Sequence, residues 1–391
     1  MDVSIKPSVL SGKIKAISSK SIAHRMLICA ALSDGESLIE IDNSSEDIEA
    51  TISALENLGA EIEKNQNTYK VKPVKEITSA ILDCGESGST LRFLVPVCAS
   101  LGVKTVFCGR GRLPQRPMDT LTDVLEKHSV KVNKGFPLEI EGKLSKGRYV
   151  IDGSVSSQFI TGLLLALPQA GGGEIEITGN FQSKSYVDIT VSVMEKFGVK
   201  VEEKENLYIV PDKKFTCANL VAEGDWSNGA FFLTAGVTVE NLDINSKQGD
   251  RKILEVLKTL QKEDEEIFID VSDIPDLVPI ISVRASVRKG KTNIINAERL
   301  KLKESDRIFS TVSMINSLGG QAEGTDNSII IYGKEKLKGG TVDSFNDHRI
   351  AMSLTVLSSV FGGKIENAEC VNKSYPLFFK DCEQLGIKFN F

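Results

Sequence analysis

The sequence predicts an α/β (α+β) fold in two lobes, each assembled from three β-α-β-α-β-β repeats. Three observations point there. A polar start, an apolar stretch, a glycine-containing turn and an alternating run recur along the chain, with starts about 50 to 75 residues apart. Hydrophobic residues make up 41% and charged residues 26%, which is ordinary globular usage. Finally, 391 residues are too many for one compact core at roughly 150 residues per domain.

Taken in order, the first helix of each repeat is expected at residues 19–32, 86–101, 156–167, 224–235, 273–283 and 346–360. Each opens on a polar or glycine-rich turn and continues into apolar residues, the signature of a capped, buried helix. Second helices are expected at 46–59, 117–128, 187–198, 251–261 and 304–319, each followed by a hairpin-like strand pair, with a sixth copy at 377–386. The segment Ala222-Glu223-Gly224-Asp225 separates the third and fourth repeats, with a partner crossing near Ser18-Ser19.

Composition narrows the function classes. The seven cysteines are an odd number without a Cys-x-x-Cys pair, which reads as reduced and cytoplasmic. A net charge of −6 argues against a nucleic-acid partner, because that footprint needs a basic face. The longest nearly apolar run, 159–167, is about half the ~20 residues of a membrane span, and the N-terminus lacks a signal-peptide core. Neither membrane insertion nor export is expected. No phosphate loop, dinucleotide fingerprint, His-Glu-x-x-His or Gly-x-Ser-x-Gly occurs. Three histidines and scattered cysteines make a metal site unexpected.

Any anionic ligand must therefore meet a local basic cluster, and the helix starts supply one. A helix N-terminus favours phosphate or carboxylate, although a single capped start needs no ligand to explain it. Lys20, Ser21 and Arg25 share the first helix start. Arg92 follows the turn 85–90, and Arg116 precedes Pro117. Lys303 and Arg307 stand four apart on an expected helix with Glu304 beside them, Arg349 follows Asn346 and Asp347, and Lys373 precedes the last helix. Arginine binds carboxylate or phosphate bidentately and lysine acts as a point charge, so the set suits a small ligand with several negative groups. The acid–base candidates are Asp276 and Glu304. Cations favour the ionised carboxylate, burial opposes it, and helix capping by Asp273 or Asp276 is an equally available role.

Ordered along the chain, these segments resemble the 5-enolpyruvylshikimate-3-phosphate synthase family of enolpyruvyl transferases. The resemblance rests on Ser19-Lys20-Ser21 with Arg25, Gly88 to Arg92, Arg116-Pro117-Met118, Ser156-Ser157-Gln158-Phe159, Ser183-Lys184-Ser185-Tyr186, Glu223-Gly224-Asp225, Ile274-Pro275-Asp276, Lys303 to Arg307, Asn346 to Arg349 and Lys373-Ser374-Tyr375-Pro376. It implies the family's inside-out α/β barrel fold, with one lobe of 1–18 plus 224–391 carrying the phosphoenolpyruvate side and catalytic carboxylate. The other lobe, 19–223, would carry the shikimate 3-phosphate side, and ligand would bind where the lobes close.

By that resemblance, Lys20, Ser21, Arg25, Ser156, Ser157, Gln158, Ser183, Tyr186, Asp276 and Lys303 hold shikimate 3-phosphate. Lys20, Gly88, Arg116, Gln158, Arg307, Arg349 and Lys373 surround phosphoenolpyruvate. The implied catalytic residues are Asp276 as base for the 5-hydroxyl, and Glu304 with Lys20 as proton shuttle at C3. Because a C–O bond breaks, no metal or other cofactor is required. Ser156 to Phe159 is similar to the glyphosate-sensitive subgroup, and a cytoplasmic monomer is expected. Glu86, Ser185 and Arg299 depart from the commoner family pattern, and Glu86 would repel a phosphate unless paired with Arg92 or a lysine.

Two alternatives compete. A UDP-N-acetylglucosamine enolpyruvyl transferase would show Lys-Asn near the first helix and a cysteine about five residues before the Arg-Pro pair, where this chain has Lys20-Ser21 and Gly111. A non-catalytic repeat protein binding a phosphorylated sugar or an RNA end would use the same helix starts without turnover.

Overall fold

The computed structural model describes residues 1–390. The chain divides into two compact units, one of Met1–Ile17 with the stretch from Gly224 onward, the other of Ser18–Glu223. Each has its own apolar core. The crossing falls between Ile17 and Ser18, one residue before the expected position. Ser18 joins the unit that ends at Glu223 because its N–H donates to Asp42 Oδ1 at 2.7 Å and its hydroxyl accepts from Asp42 N–H at 3.0 Å.

Within Ser18–Glu223, one four-stranded arrangement is used three times. Ser79–Asp83 runs parallel to Lys104–Cys108, which is antiparallel to Leu138–Gly142, which in turn pairs with Val130–Asn133. The third repeat copies this with Arg148–Asp152, Gly173–Thr178, Leu207–Val210 and Glu202–Lys204. In the first repeat, Asn219–Val221 returns from the far end of the unit to lie parallel to Ser37–Glu40. Alternating burial along Leu138–Gly142 and Arg148–Asp152 leaves one sheet face to water.

The first helices, Lys20–Ala31, Gly88–Leu101 and Ser157–Ala166, are almost wholly buried, with their polar residues gathered mainly in the first turns. The last two approach to backbone contact: a Cβ on Gly162 would lie 2.3 Å from the Arg92 carbonyl oxygen. That closeness needs the missing side chain, and it sets the starts of the two helices side by side.

The other unit repeats the arrangement twice. Glu266–Asp270, Lys291–Ile295, Ile329–Tyr332 and Ala322–Gly324 form one sheet. Thr341–Asp343, Gly363–Glu366 and Lys388–Asn390 form the other, with the N-terminal strand Val3–Lys6 in the place of the missing fourth strand.

The fourth repeat departs from expectation. Lys13–Lys15 and Thr238–Glu240 form a two-stranded sheet, and the hairpin expected after 251–261 is absent. Helix Ile253–Leu260 instead leads through a charged turn straight into Glu266–Asp270. Residues 262–265 are all charged and offer no alternating face to bury. Buried Arg288 ties that turn down, donating to the carbonyls of Lys262 at 3.3 Å, Asp264, and Lys291 at 3.1 Å. Among the described residues no helix is long and apolar enough to cross a membrane.

Candidate active site

The expected site residues fall into two groups, each gathered within one unit. In Ser18–Glu223, Lys20 opens its helix and its ammonium lies 2.7 Å from Asp47 Oδ2, in the first turn of helix Glu46–Asn57. One turn further on, Arg25 is buried. Its Nε donates to Thr190 Oγ1 at 2.7 Å, Nη1 to the Ser21 carbonyl at 2.5 Å, and Nη2 to the Tyr186 carbonyl at 3.0 Å and Thr161 Oγ1 at 3.3 Å. The guanidinium also sits 4.9 Å over the Phe93 ring. Burial pulls its pKa down to about 9, so it stays cationic at neutral pH. Ser21, Arg25 and Tyr186 are thus one neighbourhood.

The helices that meet at Gly162 assemble a second neighbourhood. Ser87 and Ser156 cap them by accepting from Thr90 N–H and Gln158 N–H. Arg92 Nη1 donates to Gln158 Oε1 at 2.7 Å and Nη2 to the Pro117 carbonyl at 3.1 Å, while Gln158 Nε2 donates to Ser89 Oγ at 2.9 Å. The Gln158 amide is therefore held in one orientation. Arg116 lies against Gly88, where an added Cβ would come within 2.5 Å of Arg116 Nη1. Ser156, Ser157 and Ser183 are buried hydroxyl residues at helix starts. Ser183 holds a left-handed backbone at φ 56°, which for a non-glycine costs about 1–2 kcal/mol and marks a constrained position. The Glu86 carboxylate lies against Gly111, 2.6 Å from where a Cβ would be, while Arg92 is turned to Gln158 and Pro117.

The second group centres on Asp276 in the other unit. Asp276 Oδ1 accepts from Arg307 Nη1 at 2.7 Å and Lys303 Nζ at 3.1 Å, and Oδ2 accepts from Arg349 Nη2 at 3.1 Å. Arg307 is almost completely enclosed. It forks onto Asp347, with Nε to Oδ2 at 2.8 Å and Nη2 to Oδ1 at 3.3 Å, and reaches Glu304 Oε2 at 2.6 Å. Burial opposes its charge, but Asp347, Glu304 and Asp276 outweigh that and hold it well above the ordinary arginine value. Burial also lowers Lys303, against the pull of Asp276. Lys373 Nζ donates to the Asn346 carbonyl at 2.8 Å. That carbonyl follows two left-handed residues, Phe345 at φ 55° and Asn346 at φ 54°, an uncommon conformation held ahead of the helix capped by Asp347.

Several local expectations are corrected. Lys303 and Arg307 do not share a helix: it begins at Arg307, because Asp306 caps it by accepting from Ile308 and Phe309 N–H. Pro117 is not the first helical residue, since that helix starts at Asp119. Asp276 does not cap the following helix but faces the three cations, and Asp273 pairs with Lys252 at 3.2 Å. Asp347 both caps the helix that begins at His348 and pairs with Arg307. The expected site residues do not include Asp47, Asp347 or Ser227, whose hydroxyl accepts from Arg349 Nη1 at 2.6 Å. No local pattern marks their ion pairs and hydrogen bonds to Lys20, Arg307 and Arg349, because those partners lie 27, 40 and 122 residues away. Among the described residues no group of three or more His, Cys, Asp or Glu is placed to hold a metal ion.

Curated 3-phosphoshikimate 1-carboxyvinyltransferases from Clostridium kluyveri and Clostridium acetobutylicum are 45% and 41% identical to this chain, each alignment covering 98% of it and 97% of the relative. A solved structure of EPSP synthase from Acinetobacter baumannii matches with a TM-score of 0.81 at 25% identity, covering 100% of both chains. The family model for EPSP synthase (3-phosphoshikimate 1-carboxyvinyltransferase) matches residues 5–382, and it is to this family that the chain belongs.

Proposed function

We propose that this chain transfers the enolpyruvyl (1-carboxyvinyl) group of phosphoenolpyruvate to the 5-hydroxyl of shikimate 3-phosphate, releasing phosphate. The observation that carries the reading is the carboxylate of Asp276 set among Lys303, Arg307 and Arg349. Cations beside a carboxylate favour its ionised form, as a base requires. Asp276 takes the 5-hydroxyl proton as that oxygen attacks C2 of phosphoenolpyruvate. Glu304, with Lys20, delivers a proton to C3, giving a tetrahedral ketal. Loss of the C3 proton and of phosphate, by C–O cleavage, then restores the double bond.

The remaining residues neutralise and orient. Arg307, Arg349, Lys373, Arg116, Gly88, Lys20 and Gln158 receive phosphoenolpyruvate. Ser21, Arg25, Ser156, Ser157, Gln158, Ser183, Tyr186 and Lys303, with Lys20 and Asp276, receive shikimate 3-phosphate. Preorganised cations of this kind stabilise charge that shifts in the transition state. We read the enzyme as a cytoplasmic monomer acting on these small molecules, with no nucleic-acid or membrane partner, in keeping with its net charge of −6.

Phosphate release from the two substrates, followed in the presence of a chelator, tests the reading. Release is expected with shikimate 3-phosphate and not with UDP-N-acetylglucosamine; the reverse moves the assignment to the nucleotide-sugar enzyme. Glu304→Gln is expected to lower kcat far more than it weakens either ligand, and equal losses would make Glu304 a binding residue.

A further inference from the structure

Helices Lys20–Ala31 and Glu46–Asn57 are joined by two rungs, one turn apart. Lys20 Nζ lies 2.7 Å from Asp47 Oδ2, and four residues further along each helix His24 Nδ1 lies 2.8 Å from Thr51 Oγ1. The second rung runs on to a third helix start. Thr51 Oγ1 stands 2.6 Å from Thr90 Oγ1, and Thr90 Oγ1 donates to Ser87 Oγ at 2.7 Å. Ser87 also accepts from Thr90 N–H at 3.2 Å, as the cap of the helix that begins at Gly88. His24, Thr51, Thr90 and Ser87 are all buried.

Each hydroxyl has a single hydrogen, and counting them fixes the direction of the chain. Thr90 gives its hydrogen to Ser87; its other acceptor, the Asp47 carbonyl, is more distant at 3.5 Å. The short contact between Thr51 and Thr90 therefore takes its hydrogen from Thr51, and the contact between His24 and Thr51 takes its hydrogen from His24 Nδ1. The surroundings of the ring agree. His24 Nε2 is buried with no hydrogen-bond partner, so an N–H there would be orphaned. Burial, followed by the charges of Lys20 and Arg25, holds the ring well below the usual histidine pKa, which leaves it neutral with one hydrogen. Phe93 meets the ring edge-to-face, with centroids 6.4 Å apart at 87°. An apolar side chain would avoid burying the bare Nε2. What the imidazole supplies is a rigid donor that reaches from one helix to the next.

We propose that His24 is a positioning residue of the reaction: neutral and protonated at Nδ1, it heads a one-way chain of hydrogen bonds through Thr51 and Thr90 to Ser87, which holds the helix starts carrying Lys20 and Gly88 in register for phosphoenolpyruvate. The role rests on the reading given above of Lys20 and Gly88, and adds the group that sets their spacing.

Nuclear magnetic resonance of protein carrying 15N-histidine distinguishes a protonated ring nitrogen from a bare one. At neutral pH the signals that vanish in His24→Asn are expected to show a protonated Nδ1 and a bare Nε2, and the reverse would overturn the proposal. Thr51→Val keeps the shape and removes the link, and His24→Leu removes the donor; each serves should the other not fold. In either, KM for phosphoenolpyruvate is expected to rise about fivefold, with KM for shikimate 3-phosphate changed less than about twofold, since most residues assigned to that substrate stand outside the chain. His24→Asn, whose amide can place an N–H near the position of Nδ1, should recover most of the loss seen in His24→Leu. The double variant His24→Leu with Thr51→Val should be no worse than the poorer single one, because both changes break the same chain. An unchanged KM for phosphoenolpyruvate, equal rises in both KM values with a lowered melting temperature, losses that multiply in the double variant, or no recovery in His24→Asn would each overturn the proposal. Should the unaltered protein release no phosphate from its two substrates, the proposed reaction would fall, and the protonation of the two ring nitrogens would still decide the direction of the chain.

Discussion

Arg25 and Arg307 are both buried guanidiniums near helix starts, and their surroundings treat the charge in opposite ways. Arg25 donates only to threonine hydroxyls and main-chain carbonyls, and among the described residues no carboxylate lies within ion-pair distance. Arg307 is surrounded by Asp347, Glu304 and Asp276. A cation held by neutral oxygens keeps its charge for an arriving anion. A cation held by carboxylates also holds those carboxylates in place, ready for proton work, and shares its charge between them and an arriving anion. The same contrast recurs in the titrating groups: burial pushes Asp250 up in one unit and His24 well down in the other, so each region burdens the charged form of a different group.

The largest effect that sharpens this contrast is expected from Arg307→Ala. It strands Asp347, whose side chain has no exposed surface, beside two further carboxylates, and should cost about 3–5 kcal/mol of stability along with turnover. Urea denaturation measures it, and a loss near zero would mean that water compensates the carboxylates.

Next comes pH. The folded-state pKa of Asp250, about 6, lies above the ~3.9 of an unfolded aspartate. The folded form binds that proton more tightly, so the contribution is complete below about pH 4 and is lost as pH rises through about 6, a change of roughly 2–3 kcal/mol. His24 has the opposite sign: its folded pKa is lowered, so its contribution is complete above ~6.5 and is lost as pH falls below that value. Urea midpoints between pH 4 and 7 should lose the first trend in Asp250→Asn and the second in His24→Gln. Unchanged trends would dissolve the contrast.

Arg25→Met should cost only about 1–2 kcal/mol, because Thr161 and Thr190 already bond each other at 2.9 Å and no anion is stranded. Calorimetric binding of shikimate 3-phosphate should nevertheless be lost. Destabilisation equal to that of Arg307→Ala would erase the distinction between the two arginines. The smallest effect on stability, less than about 1 kcal/mol, is expected from Gly88→Ala, since the new Cβ meets only the movable end of Arg116. Its readout is KM for phosphoenolpyruvate, which should rise as Arg116 is displaced; an unchanged KM would remove Arg116 from the site.

The repeats and the helix starts that carry the candidate residues are legible in the sequence because their signals are local. Ser87, Ser156 and Asp347 cap helices by bonds to N–H groups two or three residues on, and the apolar runs behind them dictate burial. The missing fourth hairpin is less legible, because its replacement depends on Arg288 reaching back to carbonyls 24 and 26 residues earlier.

What the sequence determines by itself is which segments become helices and which of their starts carry cations, since capping and periodicity act over a turn or two. Only the tertiary structure decides what each cation faces. Arg307 meets Asp347 across 40 residues, Arg349 meets Asp276 across 73 and Ser227 across 122, and Arg25 meets Thr190 across 165. A buried charge takes its partner from whatever packing brings within about 3 Å, and that choice is made by the folded backbone as a whole.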